Sequence, residues 1–86
     1  MTTLVYHTAE WCQPCKKLKP VAKAIADELG VEFREIDVDT MEPVVPVMSV
    51  PTVAIFEGSQ LVQVLTSSQM TKATLRKALS SAGGVS

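Results

Sequence analysis

Between residues 13 and 29, apolar side chains recur at helical spacing: Cys15, Leu18, Ala22, Ile25 and Leu29 fall three or four apart. Lys16, Lys17, Lys19, Lys23, Asp27 and Glu28 lie off that stripe, and Gly30 supplies a stop. The stretch is flanked by two β-rich runs, residues 4–8 and 31–38. A strand, an amphipathic helix and a strand in that order leave few options, and the simplest is a right-handed parallel crossover. Pro20 falls inside the helix and is expected to bend it.

The second half reads differently. Residues 52–56 are apolar and β-rich, which suits a strand buried on both faces. Glu57-Gly58-Ser59 marks a hairpin, and residues 61–65 form the returning strand. Thr71 is placed to cap a last helix whose inner face carries Leu75, Ala78 and Leu79. Pro43 and Pro46 exclude a long helix between residues 40 and 50 but admit one short turn. Met41 and Met48 are expected to fill gaps near Pro51. The strand at 31–38 carries Glu32, Arg34, Glu35 and Asp37, a density of charge that suits a sheet edge. The expected architecture is α/β: β-α-β, a short turn, then β-β-α, giving a four-stranded mixed sheet with helices on both faces. At 86 residues there is room for one domain, taken as residues 1–80, with 81–86 as a flexible tail.

The chemistry concentrates at Trp11-Cys12-Gln13-Pro14-Cys15-Lys16. Its first cysteine sits where the helix begins, and there free backbone N–H groups and the positive end of the helix dipole favour a thiolate. The thiolate is the form that attacks a disulfide. A closed metal site needs about four ligands, and His7 is the one other soft ligand in the chain, so metal binding would require a second subunit. His7 itself reads as a packed histidine, and Tyr6 as a core aromatic with a bonded hydroxyl. Asp37 and Asp39 read as residues solvating a strand end. A formal net charge of −1 gives no pointer to nucleic acid or an anionic membrane. Nor do the first residues show the basic and apolar regions of a secretory signal, so a cytoplasmic setting is expected.

With these features assembled, the chain resembles the thioredoxin-fold proteins over roughly residues 3–80. Ala9 to Lys16 is similar to the thioredoxin active-site segment, with Gln13 where a glycine is usual. Pro20 stands where those proteins kink the active-site helix. Val50-Pro51-Thr52 matches the loop whose proline is cis and faces the disulfide. The resemblance implies a thiol–disulfide oxidoreductase that reduces protein disulfides. In it, Cys12 attacks the substrate, Cys15 resolves the mixed disulfide and Pro51 shapes the site. Trp11, Pro14, Val50 and Thr52 would bind the substrate segment. It implies no cofactor beyond the Cys12–Cys15 disulfide, a thioredoxin-reductase-type flavoenzyme as electron donor, and a monomer. Alternatives are a glutaredoxin-like carrier serving ribonucleotide reductase or using glutathione, and a non-enzymatic accessory module. Departures are also visible. The additional first strand and helix of thioredoxins are missing, Tyr6 stands where they bury an aspartate, and Phe33 is expected where they place its lysine partner. Thr66-Ser67-Ser68-Gln69 replaces the glycine pair by which glutaredoxins hold glutathione.

Overall fold

Alternation along two neighbouring strands sorts the interior into two layers. In the computed structural model, which describes residues 2–43, 45 and 47–83, strand β1 (Thr2–Thr8) sends Leu4 and Tyr6 to one face and Val5 to the other. Helix α1 (Gln13–Leu29) then returns the chain to β2 (Glu32–Asp37), which pairs with β1 in parallel, as the crossover requires. Strand β3 (Thr52–Glu57) runs antiparallel to β1, and β4 (Gln60–Thr66) antiparallel to β3. The strand order is β2-β1-β3-β4, so the charged β2 is an edge, as expected. A 3₁₀ turn (Ser67–Gln69) leads into α2 (Lys72–Gly83).

Local signals account for the ends. Gly30 adopts φ 68°, a left-handed conformation that glycine enters without strain, and its N–H closes α1 onto Ala26 and Asp27. Gly58 does the same at the β3–β4 hairpin, with φ 62°. Thr71 Oγ1 accepts from the Thr74 N–H at 3.2 Å, the expected cap of α2. Helix α1 runs through Pro20 without ending. No helix among the described residues is long and apolar enough to cross a membrane.

The sequence reading needs four corrections. Both helices lie on the same face of the sheet, where Ala22, Ile25 and Ala26 of α1 join Leu75, Ala78 and Leu79 of α2 over Leu4, Tyr6, Val53, Ile55 and Leu65. The opposite face gathers Val5 and Ala54 under Val45, with Ile36, Val47 and Phe56 against them. The reason is connectivity: β2 and β3 are joined by a turn at Asp37–Met41 and an irregular segment, with no helix described there to cover the second face. Met48 is fully exposed and Met41 nearly half exposed, because that segment offers no closed core for thioethers to fill. Helix α2 continues to Gly83, past the point where the tail was expected to start, while 84–86 lie outside the described residues. Finally, the residue paired with Tyr6 across β1–β2 is Glu35, not Phe33. Phe33 pairs with Leu4 and lays its ring beside Tyr6, centroids 6.1 Å apart.

Candidate active site

Cys12 is the N-cap of α1. Its backbone is extended (φ −90°, ψ 105°), and its Sγ accepts the Cys15 N–H at 3.2 Å. The sulfur therefore occupies the position usually taken by a serine or aspartate oxygen, where helix N–H groups converge. A negative charge there is stabilised by that donor and by the helix dipole. Pro14, in the first turn, costs the helix no hydrogen bond because the N–H it lacks would be unpaired in any case. Cys12 and Cys15 form a disulfide, with Cα atoms 5.3 Å apart. Cys12 is 4% exposed and Cys15 fully buried, so the outer sulfur is the one a substrate meets first.

The segment before β3 closes over this pair. The Val50–Pro51 peptide is cis. The Val50 carbonyl oxygen lies 3.6 Å from Cys12 Sγ, which sets the segment directly against the outer sulfur. Thr52 Oγ1 donates to the Ser49 carbonyl at 2.7 Å, which ties the segment into a tight bend. His7, fully buried in β1, brings Nδ1 within 3.1 Å of the Thr52 carbonyl; since a carbonyl only accepts, Nδ1 carries the hydrogen. Burial lowers the His7 pKa below 6.5, partly offset by that bond. Behind the disulfide, the Tyr6 hydroxyl donates to the Cys15 carbonyl at 2.7 Å. Its pKa is pushed up to about 12, first by desolvation and then by the nearby Glu35 charge.

Outside, Trp11 is 68% exposed, and its indole N–H donates to Asp39 Oδ2 at 2.8 Å. Trp11, Val38, Pro43, Val47, Met48 and Val50 line a shallow, mainly apolar hollow of about 310 Å³. The structure thus brings Trp11, Cys12, Cys15, Val50 and Pro51 together, with Pro14 exposed between the two cysteines in the first turn of α1. Thr52 is buried, and its hydroxyl is turned to Ser49 within the bend. Sequence reasoning missed Asp39 as the partner of Trp11, and no local signal marks it, since the two are 28 residues apart. Among the described residues there is no group of three or more His, Cys, Asp and Glu side chains able to hold a metal ion.

The sequence model of the thioredoxin family matches residues 1–81. The chain is 31% identical over 77 residues to a thioredoxin of Streptomyces clavuligerus, covering 85% of this chain and 72% of that protein. It is 37% identical over 78 residues to a bifunctional thioredoxin reductase/thioredoxin of Mycobacterium leprae, covering 85% of this chain but 17% of that longer protein. A mutant thioredoxin from Halobacterium salinarum superposes with a TM-score of 0.85 at 25% identity, over 99% of this chain and 77% of that one.

Proposed function

The chain belongs to the thioredoxin family of thiol–disulfide oxidoreductases, and from that premise we propose that it reduces protein disulfides through Cys12 and Cys15. The observation that carries this reading is the Cys15 N–H donating to Cys12 Sγ at the start of α1. Reduced, Cys12 is a thiolate held by that donor and by the helix dipole, and it attacks one sulfur of the substrate. A mixed disulfide forms and the first substrate sulfur leaves. Cys15 then attacks Cys12, the intramolecular disulfide closes, and the second substrate sulfur leaves.

Substrate recognition in this reading uses Trp11, Val50 and Pro14 around the sulfurs. Val50 offers backbone to an extended segment, and the hollow beside Trp11 takes an apolar side chain. Thr52 shapes the bend through its bond to Ser49. The electron donor is a thioredoxin-reductase-type flavoenzyme, a reading supported by the relative in which reductase and thioredoxin are one polypeptide. The protein works as a monomer in a reducing, cytoplasmic compartment.

Insulin reduction tests it. With dithiothreitol as reductant the wild-type chain accelerates precipitation of the insulin chains, and Cys12→Ser abolishes the effect; equal rates for both would end the proposal. Coupling to NADPH through thioredoxin reductase, and not through glutathione with glutathione reductase, identifies the donor. Alkylation of the reduced protein by iodoacetamide follows a pH midpoint at Cys12 below the roughly 8.5 of an ordinary thiol.

A further inference from the structure

Before Cys15 can attack, its thiol must lose a proton, yet its side chain is fully buried and the residue behind it, Tyr6, is a phenol that stays protonated up to about pH 12. Cys15 borders a hollow of about 360 Å³ walled by α1 and β2, where Glu10, Lys16, Lys19, Glu35 and Asp37 also line it. That volume admits several waters, each taking about 30 Å³.

The three carboxylates are not equivalent. Asp37 uses Oδ1 to accept the Asp39 N–H at 2.9 Å in the turn after β2. Glu10 is exposed on the loop before α1. Glu35 is the cross-strand partner of Tyr6, whose hydroxyl holds the Cys15 carbonyl. Lys19 Nζ sits 2.8 Å from Glu35 Oε1, and Lys19 is four residues after Cys15, on the same side of α1. The ion pair therefore draws the Glu35 carboxylate toward the helix face that carries Cys15. The Glu35 charge is also the second cause, after burial, of the raised Tyr6 pKa.

We propose that Glu35 accepts the Cys15 proton through this hollow in the resolving step. The inference deepens the oxidoreductase reading and rests on it. In the mixed disulfide, Cys12 Sγ is bonded to the substrate sulfur and Cys15 is a thiol. The Cys15 proton passes to the Glu35 carboxylate, and the Cys15 thiolate attacks Cys12 Sγ. The Cys12–Cys15 bond forms, the bond from Cys12 to the substrate breaks, and the substrate leaves as a thiolate that is then protonated from solvent. Glu35 returns its proton to solvent. The two electrons of the two protein thiols end on the two substrate sulfurs.

The two steps can be timed separately with insulin as substrate. In a Cys15→Ser background the mixed disulfide is trapped, and its rate of formation reports Cys12 alone. Single turnover of the otherwise intact chain reports resolution. Glu35→Gln is expected to leave formation within about twofold. It slows resolution by roughly a hundredfold at pH 7, the lower range for general base catalysis. The deficit shrinks as pH rises and hydroxide replaces the missing acceptor, while Asp37→Asn changes neither step. Resolution unaffected by Glu35→Gln, an equal slowing of both steps, or a loss carried by Asp37→Asn instead overturns the assignment. Failure of the Cys15→Ser chain with Glu35 intact to form any mixed disulfide removes the oxidoreductase reading beneath it, a result distinct from the other three.

Discussion

The hydroxyl of Tyr6 donates to the backbone carbonyl of Cys15 across 2.7 Å of buried interior, joining the central strand to the first turn of the redox helix. Both residues are fully covered, and the phenol keeps its proton until about pH 12. The tether is therefore intact at every pH at which thiol exchange is useful. It gives the segment around the second sulfur a fixed seat without placing an ionisable acid directly behind it.

Tyr6→Phe is expected to lower stability by about 1–2 kcal/mol, the cost of a lost buried hydrogen bond. For a domain of this size that corresponds to a melting temperature lower by roughly 5–10 °C. The wild-type chain also has an alkaline limb. The folded pKa of Tyr6 lies above the unfolded value of 10, so the stability it contributes is complete below about pH 10 and is lost as pH rises toward about 12. Denaturant titrations between pH 9 and 12 should show a steeper loss in the wild type than in Tyr6→Phe.

His7 acts in the opposite sense. Its folded pKa is depressed below 6.5 by burial, so the unfolded chain takes up a proton first as pH falls. The stability it contributes is present above pH 6.5 and drains away below. His7→Asn keeps a donor for the Thr52 carbonyl and removes the titration. Urea midpoints measured at pH 5 and pH 7.5 should differ less for His7→Asn than for the wild type; an equal difference would rule out this source of acid sensitivity.

Asp39 holds the indole of Trp11 by one exposed hydrogen bond. Asp39→Ala is expected to free the ring and leave the melting temperature within about 2 °C, since exposed contacts contribute little. The chain has a single tryptophan, so its fluorescence reads this change directly. If the ring seats the substrate, as proposed, the KM for insulin reduction should rise several-fold with kcat nearly constant. A kcat effect without a KM effect would place Trp11 in the chemical step instead.

Oxidised and reduced forms should differ modestly in stability. Cys12 and Cys15 close a loop with a sequence separation of 3. In the loop-entropy model so short a ring contributes about 2 kcal/mol, near 10 °C in melting temperature. Matched melts with and without reductant that differ by several tens of degrees would show another source of redox-linked stability.

Much of this molecule is written locally. The strand before Cys12, the helix after it, the stop at Gly30, the hairpin at Gly58 and the cap at Thr71 each follow from residues within a few positions of one another. The reactive sulfur is legible for the same reason, since a thiolate at a helix N-terminus needs only the first turn of that helix. What escaped the sequence reading was the partner of Tyr6. Periodicity places Phe33 and Glu35 two apart on the same face of β2, and only the pairing of β2 with β1 decides which of them stands opposite Tyr6. The side taken by the helices, the bond from Trp11 to Asp39 and the exposure of Met48 escaped it as well.

The chain alone therefore determined its elements and the sulfur that caps α1, because backbone propensity, capping and the helix dipole act over one or two turns. Only the folded sheet decided which residue of β2 stands opposite Tyr6. The charge of Glu35 at that position depends on the register between strands about thirty residues apart, which is settled by burying both strands against α1.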